Sequence, residues 1–170
     1  MDREIRIDMD FLSNHDGNCR TLSALRFNVC DDAAHPMAYL DLTMASRGCL
    51  VVNPNARNIV FRPIDRALYG SNGGRRCDLM LRTVDCSEFC FVELKDWKVS
   101  GWFVDGLEQL KNTLADFIAS HPNVFQGAKF RSAYVVNMVH GFSRSHKEVM
   151  RNFVRKYHTI LRTQQPVRFR

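Results

Sequence analysis

The chain has 170 residues, 45% of them hydrophobic and 25% charged, with a formal net charge of +6. That length suits one domain able to bury a core without staples. No apolar run reaches the twenty or so residues of a membrane span, and the amino terminus, Met1 to Asp8, is mixed in charge with no apolar secretion core. A soluble, cytoplasmic protein with no membrane partner is expected, folded as a single domain over residues 1–170 with a core at about 48–161.

In chain order, residues 1–30 suggest a helical or mixed segment, with Leu22, Leu25 and Val29 on one apolar face. Met37 to Met44 is apolar and ambiguous between helix and strand. Gly48 to Val52, the turn Asn53-Pro54-Asn55, and Asn58 to Arg62 have the pattern of a hairpin. Asp65, after Pro63-Ile64, suits a loop better than a ligand position. Ser71-Asn72-Gly73-Gly74 is a turn that delivers the chain to Arg75, Arg76 and the strand Cys77-Asp78-Leu79-Met80-Leu81. A polar break, Asp85 to Glu88, precedes a second strand, Phe89-Cys90-Phe91-Val92-Glu93-Leu94-Lys95.

These two apolar strands carry three charges, and burying a lone charge costs several kcal/mol unless something compensates it. With Asp85–Glu88 as a four-residue loop, Met80 would face Glu93 and Asp78 would face Lys95. Glu93 and Lys95 share a face because strand side chains alternate. Two carboxylates and an ammonium then meet in one patch, roughly 5 to 7 Å apart at their β-carbons. Two carboxylates with a backbone carbonyl between them are hard oxygen ligands of the kind magnesium and manganese favour. A cation so held polarises a phosphoryl oxygen and acidifies a bound water, and Lys95 beside it could orient that water or neutralise developing charge. Chemistry alone leaves a second reading open, in which Asp78 and Lys95 form a cross-strand ion pair and Glu93 sits at a wet strand end.

Beyond the hairpin, Phe103, Leu107, Leu110, Leu114 and Phe117 line one face of a helix over 103–119, bracketed by Gly101 and Pro122, with Asp105 and Glu108 resembling a capping box. Trp97 and Trp102 flank a glycine-containing turn and suit a hydrophobic lip better than base stacking. Ala133 to Asn137 is strand-like. His121 and His140 suit loops. Val149, Phe153, Val154, Tyr157, Ile160 and Leu161 recur at three- and four-residue steps of a final helix. From Phe142 to Arg170 there are eight Lys or Arg and one Glu, whereas the preceding 141 residues hold 16 basic and 17 acidic residues. Arg144, Lys147, Arg151 and Arg155 give the final helix a basic stripe suited to a polyphosphate backbone; a solvated surface or an acidic protein partner is the alternative. None of the six cysteines forms a Cys-x-x-Cys pair, so reduced thiols are expected rather than zinc.

Asp78 at the head of one strand, then Glu93-Leu94-Lys95 closing the next, followed by a helix containing Gly106-Leu107-Glu108-Gln109-Leu110, resembles the PD-(D/E)XK nuclease superfamily over roughly residues 58–161. The Pro-Asp pair of the motif is replaced by Cys77-Asp78. The resemblance implies a restriction-endonuclease-like α/β fold, a central mixed sheet flanked by helices. It also implies a nuclease dependent on Mg2+ or Mn2+, with Asp78, Glu93 and the Leu94 carbonyl on the metal. Lys95 and Gln109 would be catalytic, and Arg75, Arg76 and the final helix would contact nucleic acid, with DNA expected. Such enzymes serve restriction, repair and defence against foreign DNA. An inactive nuclease-like module that binds nucleic acid or protein is the alternative, and homodimerisation stays open.

Overall fold

The computed structural model describes residues 10–14, 17–70, 74–98, 100–139, 146–163 and 166–170. Among them the strands are β1 (Arg20–Leu22), β2 (Arg26–Cys30), β3 (Tyr39–Asp41), β4 (Cys49–Val52), β5 (Ile59–Pro63), β6 (Leu79–Thr83), β7 (Glu88–Lys95), β8 (Phe130–Asn137), β9 (Ile160–Arg162) and β10 (Val167–Arg168). The helices are α1 (Trp102–Ser120), α2 (Pro122–Gly127) and α3 (Lys147–Tyr157), with a single π-helical turn at Asp65–Tyr69. The fold is mixed α/β, as expected, but built on two sheets rather than one. Six strands run in the order β1-β5-β6-β7-β8-β9, and four in the order β10-β4-β2-β3.

The alternation of β6 and β7 builds three layers. On one face Met80, Phe89 and Phe91, with Ala133 and Val135 of β8, meet Phe103, Leu107, Leu110, Leu114 and Phe117 of α1. Phe11, Phe89, Phe91 and Phe117 pack edge-to-face at centroid separations of 5.2–6.3 Å, the arrangement aromatic quadrupoles favour. On the other face Leu79, Leu81, Cys90, Val92 and Val136 pack against Phe27, Val29, Cys49 and Val51 of the smaller sheet. β7 and β8 are parallel, and α1 is the crossover such a pair requires.

The hairpin register differs from the expected one by two residues. Leu79 pairs with Val92, Met80 with Phe91 and Arg82 with Phe89, so continuing the ladder sets Asp78 opposite Glu93 rather than Lys95. The turn is Val84 to Ser87, because Thr83 and Glu88 are satisfied inside the strands. Thr83 Oγ1 donates to Asp85 Oδ1 at 2.6 Å, and Glu88 Oε2 takes Arg57 Nη1 at 3.0 Å and the Arg170 N–H at 3.1 Å. A two-residue shift leaves every side chain on its expected face.

Other expectations change more. Where a helical or mixed segment was expected, residues 20–30 form the strands β1 and β2, and Leu25 is exposed; residues 1–9 lie outside the described residues. Met37 to Met44 contains β3. β4 and β5 are not a hairpin. β4 pairs with β2 and β10, β5 with β1 and β6, because the fully buried Asn53 turns the chain from one sheet to the other. Its amide donates to the Ala24 and Arg57 carbonyls at 3.2 and 2.8 Å. The last helix stops at Tyr157, where His158 takes a left-handed conformation (φ 48°), so Ile160, Leu161 and Arg162 belong to β9. Val149 and Val154 are exposed, and α3 buries only Phe153 fully, with Met150 and Tyr157 partly. His121 caps the end of α1, its ring against Phe11 and Phe117; His140 lies outside the described residues. No helix among the described residues is long and apolar enough to cross a membrane.

Candidate active site

Asp78 is fixed from three sides. The Cys77 N–H donates to Thr113 Oγ1 of α1 at 2.9 Å, the Asp78 carbonyl accepts the Ile64 N–H at 2.8 Å, and the Asp78 carboxylate accepts the Leu94 N–H at 2.6 Å. Glu93 and Lys95 project from the carboxyl end of β7 toward α1, which comes close because position 106 is glycine. A Cβ there would lie 2.6 Å from Val135 Cγ1, 3.1 Å from Glu93 Cγ and 3.4 Å from Lys95 Cε. The Lys95 carbonyl accepts the Met138 N–H beside β8. Neighbouring residues of a strand present their amides to opposite sides, so the Leu94 amide and carbonyl face the Asp78 side.

Asp78, Glu93 and Lys95 therefore converge, as the alternation requires. Lys95 Nζ lies 2.5 Å from Glu93 Oε1 and 2.7 Å from Asp105 Oδ2. Gln109 Nε2 donates to the same Asp105 oxygen at 2.9 Å, and Arg75 pairs with Asp105 Oδ1. Asp105 is thus not the helix cap its spacing suggested, since α1 has no side-chain cap; it is the second carboxylate on the lysine. Trp97 places its ring 5.2 Å from Lys95 Nζ, and Trp102 packs at the core margin against Phe103.

Asp78, Glu93, Leu94, Lys95, Trp97 and Gln109 line a cavity of about 540 Å³ whose other walls come from the segment after β2 and from the π-helical turn: Asp31, Asp32, His35, Ala38, Asp65 and Arg66. Asp65 thus faces the site from a helical turn rather than a loop. Asp31 went unrecognised in the sequence; its one signal is a doubled Asp at the end of the strand-like run Phe27 to Cys30. Asp32 is hydrogen-bonded by His35 Nδ1 and then Tyr39 Oη, each at 2.7 Å, which lowers its carboxyl to about 2 and braces that wall.

The electrostatics are lopsided. Burial, then the neighbouring charges of Glu93 and Asp31, pushes the Asp78 carboxyl well above its ordinary value. Burial raises Glu93 to about 7; Lys95 pulls it down, while Asp31 and Asp65 push it up. Asp31 and Asp65 are raised as well, first by burial. Glu93 Oε2 is buried with no hydrogen-bond partner among the described residues, a costly state for a carboxylate oxygen. Among those residues no cluster of three or more His, Cys, Asp or Glu side chains is placed to hold a metal ion. A cation here would rest on Asp78, Glu93 and the Leu94 carbonyl.

The expected nucleic-acid contacts divide. Arg75 is held by Asp105; Arg76 Nε is bound to Asp116 Oδ2 at 2.8 Å with its guanidinium 4.8 Å over the Tyr69 ring. Both brace the loop before β6 against α1. Lys147, Arg151 and Arg155 are exposed on α3, and Arg144 lies outside the described residues. Asp96 is exposed and paired with Arg47 at 3.2 Å. The six cysteines are free thiols, four of them buried.

Neither protein-family models, nor curated proteins, nor solved structures provide a match to this chain. The resemblance to the PD-(D/E)XK nucleases therefore rests on the motif residues alone.

Proposed function

We propose that this protein is a divalent-cation-dependent nuclease hydrolysing phosphodiester bonds, with DNA as its substrate. The observation that carries the reading is the buried Oε2 of Glu93, without a hydrogen-bond partner among the described residues, beside Asp78 and Lys95 at the floor of an acidic cavity. Burial raises both carboxyls, Asp78 further through the charges of Glu93 and Asp31 and Glu93 through those of Asp31 and Asp65, and a bound cation would relieve both. The donor set fits Mg2+ or Mn2+, being oxygen-only and sparse enough to leave positions for water and phosphate. When bound, such an ion polarises a phosphoryl oxygen and lowers the pKa of a coordinated water. Asp78, Glu93 and the Leu94 carbonyl would hold it. Lys95 supplies a positive charge at the reacting phosphate, and Gln109, through Asp105, fixes where that ammonium stands. Without a cation the cavity repels phosphate, so binding of the scissile group depends on the metal.

A binding module without cleavage is the second reading, favoured by one feature: Lys95 is already closed on by two carboxylates. Incubation of plasmid and oligonucleotide substrates with Mg2+ or Mn2+ separates the two. Cleavage that disappears in Glu93→Ala and Lys95→Ala, with folding retained, establishes the enzyme; salt-sensitive binding with intact substrate establishes the module.

A further inference from the structure

At the opposite end of β7 from Lys95, where the two sheets part, a cleft of about 610 Å³ opens between the edge strands β9 and β10. Four arginines line it: Arg131 of β8, Arg162 of β9, Arg168 of β10 and Arg170. Its one acidic wall residue, Glu88, is already bound by Arg57 and by the Arg170 N–H. Two of the arginines serve the fold. Arg131 donates to the carbonyls of Phe125, Ala128 and His158, and the Arg170 guanidinium stacks 4.4 Å above the Phe130 ring. Arg162 and Arg168 are exposed, and no carboxylate partner of either side chain is found among the described residues. Met150 of α3 lines this cleft and also the shallow depression beside Arg151 and Arg155. The cleft and the depression beside Arg151 and Arg155 therefore adjoin at Met150.

We propose that this cleft is a nucleic-acid backbone site in which Arg162 and Arg168 contact phosphates. A row of guanidiniums running from α3 across two sheet edges suits successive phosphodiesters, where a single small anion would need one or two of them. The site is remote from the acidic cavity: seven residue steps along β7 separate Glu88 from Lys95, roughly 23 Å at strand rise. It shares its ligand class with the proposed function but requires neither a cation nor cleavage.

The test is binding of a fluorescent duplex oligonucleotide by anisotropy in EDTA, across a salt series, for the wild type, the double variant Arg162→Ala/Arg168→Ala, a control Arg20→Ala on β1 at the far edge of the six-stranded sheet from β9, and Glu93→Ala. In the double variant affinity at 0.1 M salt should fall about tenfold or more, and the log–log salt slope should shrink by roughly two. Arg20→Ala should bind like the wild type, and Glu93→Ala, which only removes negative charge from the remote cavity, should bind no more weakly. A folded double variant with wild-type affinity and slope would show that these arginines only guard the sheet edges, and would overturn the proposal. So would a wild type that binds an acidic peptide but no oligonucleotide. Loss of cleavage in Glu93→Ala with binding intact concerns the catalytic reading alone, so the two claims fail separately.

Discussion

Asp105 Oδ2 lies 2.7 Å from Lys95 Nζ, and that oxygen also accepts Gln109 Nε2 at 2.9 Å. A helix residue thereby sets the position of a lysine carried by a strand. Asp105→Asn keeps the shape but leaves the buried ammonium with Glu93 alone and Arg75 without its carboxylate. Urea denaturation should show a loss of about 1–3 kcal/mol. Single-turnover cleavage should slow by at least about tenfold, with substrate affinity little changed. A variant of wild-type stability would mean that Asp105 contributes nothing to holding Lys95.

Gly106 sets how closely α1 approaches β7. The Cβ of Gly106→Ala would stand 2.6 Å from Val135 Cγ1, a stiff β-branched neighbour on a central strand. Alanine gains about 1 kcal/mol in helix propensity, but overpacking costs about 1–3 kcal/mol. A net loss of stability is expected, with impaired cleavage because Glu93 and Lys95 move with the helix. Thermal melts check the first effect; unchanged or raised stability would show that the helix can lift freely.

Much of this was legible in the sequence, for definite reasons. The period of two in residues 77–95 puts Asp78, Glu93 and Lys95 on one face, and a register error of two residues cannot disturb that. The apolar spacing of α1 likewise specified its buried side. The smaller sheet was hidden because its pairings are non-local: β10, almost the last residues of the chain, lies alongside β4, and no local pattern encodes that. Asn53-Pro54-Asn55 looked like a hairpin turn because nothing in its neighbourhood revealed that Asn53 would be buried against the Ala24 carbonyl. Ile160 and Leu161 kept step with a helix that His158 had already ended. Asp105 had the spacing of a cap, and only the approach of α1 to Lys95 gave it another partner.

The raised Glu93 carboxyl makes a prediction about pH. The native state holds that proton up to about 7, whereas the unfolded chain releases it near its ordinary value of about 4.3. Between these limits the native state binds more protons, so the contribution of Glu93 to stability falls as pH rises through the window and is constant outside it. A cation needs the ionised form and competes with the proton. The rise in melting temperature on adding millimolar Mg2+ should therefore be small at pH 6 and larger at pH 8, and absent in Glu93→Gln. An Mg2+ increment independent of pH would disconnect Glu93 from the cation.

Asp31 tests the electrostatics from outside the motif. It sits on the far wall of the cavity and raises both Asp78 and Glu93 by its charge. Asp31→Asn removes that repulsion while leaving the hairpin and α1 untouched. Both carboxyls should then ionise more readily, and the pH midpoint of the Mg2+-induced stabilisation should move down. At pH 6 the variant should gain more from Mg2+ than the wild type. The opposite outcome, a loss of Mg2+ stabilisation at every pH, would mean that Asp31 is itself a ligand and that the cation lies nearer the smaller sheet than Asp78 and Glu93 alone would hold it.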